Sequence, residues 1–255
     1  KLDRPDSGYP WLQEWFLNEK QEKFIELLQQ IIPYMEGLKA IEIRSKGENQ
    51  PRWGQDWFPG LDAVVAYGLV RLKKPKRIIE IGSGHSTRFL LRAIADEGLK
   101  TALTCIDPEP RASIEAHKVD LIKKPIQKVT YQQLPRLESG DILLIDSSHI
   151  AIPGSDVDWI VNYIIPYLPK GVLVHFHDIF FPDPYPVDWK WREYNEHLPV
   201  AALMVGGCLD PIFSSHYVRN YLSDSIKRLG FSWLPLLASA RESSLWAETK
   251  RGRTG

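Results

Sequence analysis

The sequence predicts an α/β fold built on a doubly wound, mostly parallel sheet, and three observations carry that reading. Short apolar runs alternate along the chain with stretches of helical periodicity, the pattern of strands joined by crossover helices. The run Arg77 to Ile81 passes directly into a glycine turn, Gly82-Ser83-Gly84. Polar side chains stand where the apolar runs end, at Asp107, Asp146, His177 and Asp178. In an open parallel sheet these ends share one edge, where ligands bind.

Taken in order, Tyr9 to Gly37 places Phe24, Leu27, Leu28 and Ile31 at helical spacing, preceded by Trp11, Trp15 and Phe16. This is an N-terminal helical cap whose aromatic stripe reads as core, with coverage of a site as the alternative. Ser45 to Gly60 is rich in Gly, Pro and polar residues and reads as a loop with two exposed tryptophans, Trp53 and Trp57. It lines a pocket, or Trp57 and Phe58 anchor it to the next helix. Leu61, Val64, Val65, Leu69 and Leu72 form one helix face, ending at Lys73-Lys74-Pro75.

Ile78, Ile79 and Ile81 make the first strand, buried on both faces. Ser86 or Thr87 caps the next helix, with Phe89, Leu90, Ala93 and Ile94 inward and Gly98 as its stop. Thr101 to Asp107 is the second strand, followed by a short helix over Arg111 to Lys118 and a weaker third strand over Gln127 to Tyr131. Asp141 to Asp146 is the fourth strand, and Ser155 caps the helix after it, with Asp156 and Asp158 in the first turn. Gly171 to Asp178 is the fifth. Phe180 to Pro186, with three prolines, reads as a stiff lid loop before a helix over Trp189 to Met204. Cys208 to Ser214 and Ser243 to Glu248 are two further strands flanking a helix over His216 to Arg228.

Composition narrows the classes. Lysine plus arginine balances aspartate plus glutamate at 32 each, which gives no electrostatic reason for a nucleic-acid or anionic-membrane partner. Two cysteines, Cys105 and Cys208, without a C-x-x-C pair, argue against a disulfide framework and for a reducing, cytoplasmic setting. No stretch approaches the roughly 20 apolar residues that span a bilayer.

The glycine turn is the candidate binding loop, because Gly82 and Gly84 remove the Cβ atoms that would block a close ligand. Asp107 follows about 20 residues later, the spacing at which a carboxylate meets a ribose diol. A nucleoside is implied. Thr87 stands where the third glycine of a dinucleotide fingerprint would be, and Glu80 adds negative charge before the turn. That charge suits a sulfonium or ammonium better than a pyrophosphate.

Here the chain resembles the class I S-adenosylmethionine-dependent methyltransferases, in a bacterial small-molecule branch. Glu80, Gly82 and Gly84 match the first motif and Asp107 the second; DSSHIAIPGSDVDW, GVLVHFHDIFFPDPYP and the terminal SSLW extend the likeness from about Phe58 to Glu248. The resemblance implies a Rossmann-like sheet of seven strands with an antiparallel last strand. It divides the chain into a cap and loop over 1–60, a methyltransferase domain over 61–249 and a disordered tail over 250–255. It implies S-adenosylmethionine held by Glu80, Gly82, Ser83, Gly84, Ser86, Asp107, Asp146 and Ser147. Adenine contacts would fall near Gln132 and Gln133, where the expected acid is missing.

Methyl transfer needs the acceptor in line at about 3 to 3.5 Å, and a hydroxyl acceptor must lose a proton. His177 and His149 are the candidate bases, with Asp178 setting orientation or charge. Asp183, Tyr185, Trp189, Tyr194, Asn195 and Glu196 belong to the side of a small-molecule acceptor, methylated at oxygen. Some relatives hold a divalent metal at the ends of the fourth and fifth strands, which here would mean Asp146 and Asp178; His177 and Ile179 stand where a third oxygen ligand is expected, and no metal is favoured. Two other readings stay open: an NAD-dependent oxidoreductase, weakened by Thr87, and a non-catalytic binding protein that kept the fold.

Overall fold

A computed structural model describes residues 8–45, 47, 50–110 and 119–251 of the chain. Its sheet has seven strands: β1 (Arg77–Ile81), β2 (Ala102–Ile106), β3 (Asp120–Ile122), β4 (Ile142–Ile145), β5 (Leu173–Phe176), β6 (Leu209–Ser214) and β7 (Leu245–Thr249). They lie in the order β3-β2-β1-β4-β5-β7-β6. The first five pair in parallel, while β7 runs antiparallel to both β5 and β6. Strand order reverses between β1 and β4, which opens the crevice for a ligand beyond their carboxyl ends.

The central strands are continuous apolar runs because helices cover both faces. The helices are α1 (Pro10–Trp15), α2 (Gln21–Ile31), α3 (Met35–Lys39), α4 (Gly60–Lys73), α5 (His85–Asp96), α6 (Asp156–Trp159), α7 (His197–Val205), α8 (Ser215–Tyr221) and α9 (Ser223–Arg228). Helix α4 is buried along nearly its whole length, from Gly60 to Val70.

Phe16, Phe24, Leu27, Leu28 and Ile31 of the N-terminal region are core, whereas Trp11 is exposed. Helix α2 packs on α4 and on the edge strand β6. Phe24 stands 5.9 Å from Phe213 of β6, ring centre to ring centre, and Phe16 stands 5.3 Å from Tyr217 of α8. Gly68 permits the approach, since a Cβ there would come within 2.4 Å of Ile31. These helices therefore share the core of the sheet.

Several expectations are corrected. The third strand is Asp120–Ile122, paired with β2 through Thr104 and Asp120, whereas Ile126–Lys128 forms a 3₁₀ turn. Trp53 is buried, donating from Nε1 to the Leu38 carbonyl at 3.2 Å and packing against Phe89 and Trp233; only Trp57 is exposed. The helix placed over Trp189 to Met204 is a 3₁₀ segment (Val187–Arg192) followed by α7. The helix over His216 to Arg228 divides into α8 and α9 at Leu222. Ser155 caps α6 as expected, accepting from Asp158 N. The helix expected over Arg111 to Lys118 and the last four residues of the expected tail lie outside the described residues.

Because Phe24 is fully buried between α4 and β6, Phe24→Ala is expected to cost about 3 to 5 kcal/mol. The loss should appear in one cooperative thermal transition of the whole chain. A separate early transition, with the remainder unfolding at the wild-type temperature, would contradict a shared core.

Candidate active site

The turn after β1 is shaped by two glycines with different duties. Gly82 adopts φ +82°, and a Cβ there would come within 2.0 Å of the Asp146 carbonyl, so β1 can cross the end of β4 only without a side chain. A Cβ on Gly84 would meet nothing within 4 Å among the described residues. The space above this turn is open to a ligand.

Asp107 closes β2 directly beside the turn. Its Oδ2 accepts from the backbone N–H and the hydroxyl of Ser83, both at 2.8 Å, and its Oδ1 accepts from Glu109 N at 2.8 Å. One lone pair of Oδ1 therefore remains for a ligand hydroxyl. On the other side of the crevice, the Ser147 hydroxyl is buried without a hydrogen-bond partner among the described residues. Open space over Gly84, an acceptor at Asp107 and a free hydroxyl at Ser147 fit a polar nucleoside.

Glu80 lies beneath the turn and not in the crevice. It is fully buried, and its two oxygens accept from Ser86 Oγ at 2.6 Å and Thr87 Oγ1 at 2.7 Å, with Cys105 Sγ at 3.4 Å. Burial pushes its carboxyl up to about 7, against those three donors. Thr87 in turn accepts from Gly84 N at 3.0 Å. The N-cap of α5 is thus Gly84, and Ser86 and Thr87 serve Glu80 from inside the first turn, where each had been expected as the cap. The threonine at the third glycine position has this purpose.

The ends of β4 and β5 bring four expected residues together. His149 Nε2 lies 3.4 Å from Asp146 Oδ1 and 3.5 Å from Asp178 Oδ2. His177 Nδ1 lies 3.1 Å from Asp178 Oδ1 and 3.9 Å from Asp146 Oδ1. Both rings are buried, whereas the Asp146 side chain keeps 42% of its surface exposed and forms the face of the cluster. His149 and Asp178 both take positive φ, 61° and 53°, a strained backbone seen most often at functional sites.

Two further acids join the cluster, one of them expected on the acceptor side and the other not read from the sequence. Glu196, the expected one, is fully buried at the start of α7 and accepts from His149 Nδ1 at 2.8 Å. Asp62, in the first turn of α4, lies 3.6 Å from His177 Nε2 while accepting from the N–H groups of Ser243 and Ser244. An acid in a first helical turn reads as a partner for the helix dipole, so nothing in the sequence pointed Asp62 at β5. Ser243 adds a hydroxyl to Asp178 Oδ1 at 3.0 Å.

Burial opposes charge on both imidazoles, yet the surrounding carboxylates outweigh it, and His149 and His177 are held well above the ordinary histidine range. Burial likewise opposes charge on Asp146 and Asp178, but the imidazoliums hold both carboxyls below theirs. Next in β5, burial drives His175 well below the ordinary range; its Nε2 pairs with the Ser244 hydroxyl at 2.8 Å. His175 is a structural neighbour.

A hard divalent ion wants mainly oxygen ligands. Between Asp146 and Asp178 stands the donor nitrogen of His149, and among the described residues no group of three or more His, Cys, Asp and Glu side chains is arranged to hold a metal. The donor set suits a proton better than such an ion.

The acceptor-side residues divide. Tyr194 lies 4.6 Å from the His149 ring, and Tyr185 and Trp189 surround Tyr194 at 5.8 and 6.0 Å. Asn195 Oδ1 accepts from Ala151 N at 2.6 Å, which ties this segment to the loop after β4. Asp183 faces away, accepting from His216 at 2.7 Å and from Tyr221. Gln132 and Gln133 sit in an exposed turn, with Gln133 accepting from Thr130 N.

Since the folded pKa of His149 and His177 exceeds the unfolded value, their contribution to stability is complete below about pH 6.5 and is lost as pH rises through the folded value. The thermal midpoint should fall through the alkaline range. Glu196→Gln, which removes one stabilising charge, should flatten that fall, and an unchanged slope would contradict the ion pair.

The family model described as a methyltransferase domain matches residues 79–179, which contain the glycine turn, Asp107 and the cluster residues of β4 and β5. No curated protein matches the chain. Among solved structures, the S-adenosylhomocysteine-bound methyltransferase PaMTH1 of Podospora anserina is 16% identical, with 94% of each chain covered and a TM-score of 0.48. The plantazolicin methyltransferase BamL, in complex with a triazolic desmethylPZN analog and S-adenosylhomocysteine, is 14% identical over 94% of this chain and 95% of its own, with a TM-score of 0.43. Such likenesses are too slight to carry a function from one chain to another. A match to a methyltransferase domain over residues 79–179 thus lies within a Rossmann-like sheet of strand order β3-β2-β1-β4-β5-β7-β6.

Proposed function

We propose that the enzyme methylates an oxygen of a small-molecule acceptor, and that Asp107, Ser83, Gly84, Asp146 and Ser147 form the cofactor crevice. The observation that carries this reading is the continuity of that crevice with the carboxylate–imidazole cluster through Asp146, which belongs to both. When bound, S-adenosylmethionine supplies an electrophilic methyl group carried on a positively charged sulfur.

The protein's own residues divide the remaining work. Asp107 takes the ribose hydroxyls through its spare lone pair, and Ser147 offers its free hydroxyl to the nucleoside. Glu80 and Ser86 act from below, by fixing the turn. Asp146 turns a carboxylate to the crevice, where negative charge favours a sulfonium. His149 and His177 hold protons in the resting state, so either becomes a base for a hydroxyl acceptor only after losing its own proton. Asp178 and Asp62 orient the His177 ring from its two nitrogens.

Asp107→Ala should weaken S-adenosylhomocysteine binding in calorimetry by about 1.5 to 3 kcal/mol without unfolding the chain. Unchanged affinity would remove the ribose role. His177→Ala should keep cofactor affinity and slow transfer of labelled methyl to acceptors in a metabolite extract; normal transfer would make His177 structural.

If an imidazole is the base, turnover should climb from neutral into alkaline pH, because the neutral ring appears only as pH approaches its raised pKa. A flat profile would sink that role. Chelation should leave turnover intact, and a loss reversed by magnesium would overturn the metal-independent reading.

A further inference from the structure

The lid segment carries two cations, Lys190 and Arg192, and no acid neutralises Arg192 among the described residues. The segment carries four acids, and three are engaged elsewhere: Asp183 with His216, Asp188 with Arg241 at 2.8 Å, and Glu196 with His149. The fourth, Glu193, lies beside Arg192 in sequence without pairing to it.

The guanidinium sits among aromatic rings. Its central carbon lies 4.1 Å from the ring centre of Trp189, 5.2 Å from Trp191 and 5.4 Å from Tyr194. Nη1 donates to the Tyr194 hydroxyl at 3.0 Å. Nε is buried and has no hydrogen-bond partner among the described residues. Stacking satisfies the faces of a guanidinium and leaves its edge donors unsatisfied, and an unmade hydrogen bond at a buried charged group is costly. One edge is spent on Tyr194. The other, Nε with Nη2, is the fork that matches the two oxygens of a carboxylate or phosphate.

Its position relates this fork to the chemistry. Tyr194, which receives the Nη1 bond, lies against the His149 imidazole with ring centres 4.6 Å apart. A single tyrosine ring therefore separates the free fork from the cluster facing the crevice. Trp189 and Tyr185 surround the same ring and supply an apolar wall between the two ends.

Resting on the reading of the chain as a small-molecule methyltransferase, we infer that Arg192 selects an acceptor bearing an oxyanion. That group docks on the Nε–Nη2 edge, while the acceptor's hydroxyl points at the Asp146, His149 and His177 cluster. Arg192 is a specificity residue, removed from the reacting atoms by the length of the acceptor.

The test measures binding to the full chain saturated with S-adenosylhomocysteine, read by tryptophan fluorescence, because Trp189 and Trp191 flank the fork. The probes are 4-hydroxybenzoate, phenyl phosphate and the neutral 4-hydroxybenzamide. At least one anion should bind ten-fold or more tighter than the amide, and which anion leads tells carboxylate from phosphate. Arg192→Ala should abolish the preference, and Arg192→Lys, which keeps the charge and loses the fork, should recover little of it. Both variants should retain wild-type affinity for S-adenosylhomocysteine, which also reports that they fold.

No anion preference in the wild type, or the same preference in Arg192→Ala, overturns the inference. Failure of S-adenosylhomocysteine itself to bind would instead strike the methyltransferase reading, so the two failures are told apart.

Discussion

A carboxyl group sealed from water at the end of the central strand is the constraint on which the turn after β1 depends. Glu80 has no access to solvent, and desolvation by itself would make its charged form costly. Ser86 and Thr87 offset that cost with two short hydrogen bonds from the first turn of α5. The bonds also fix where the helix begins. With α5 pinned over β1, Gly82 is pressed against the end of β4, Gly84 opens to the crevice, and Ser83 reaches Asp107 with both its N–H and its hydroxyl. The turn is held in place because a buried acid beneath it requires its donors.

The same physics recurs one strand away with charged partners. Asp146, Asp178 and Glu196 surround two imidazoles, and each group is displaced from its solution behaviour by burial and by its neighbours. Burial raises the Glu196 carboxyl, while the His149 hydrogen bond pulls the other way. The carboxylates facing this cluster come from α4, β4, β5 and the start of α7. A site assembled from four elements is stable only while all four stay in register, since removing one partner of a buried ion pair leaves the other uncompensated.

Much of this was legible in the sequence where the physics is local. Ile78 to Ile81, Leu103 to Ile106 and Ile142 to Ile145 announce buried parallel strands because both faces are covered, and the polar residues at their ends mark the ligand edge. The third strand was not legible: it has three residues at the sheet edge, Asp120 among them, and carries no apolar run. Trp53 reads as exposed because its neighbours are polar, yet Leu38, Phe89 and Trp233, distant in the chain, enclose it. Asp62 is hidden for a similar reason. It stands at a helix start, where an acid has an ordinary explanation, and only the folded chain brings it to His177, as it brings Glu196 of the expected acceptor side to His149.

The pairing of His149 with the segment after the lid has a mechanical consequence. The His149 carbonyl accepts from Asn195 N and Glu196 N, its ring pairs with the Glu196 carboxylate, and Asn195 reaches back to Ala151. Swinging residues 194–196 outward would sever these bonds together and strand a charge in a dry interior. This corner is a doorpost, and whatever admits or releases the reactants must hinge elsewhere.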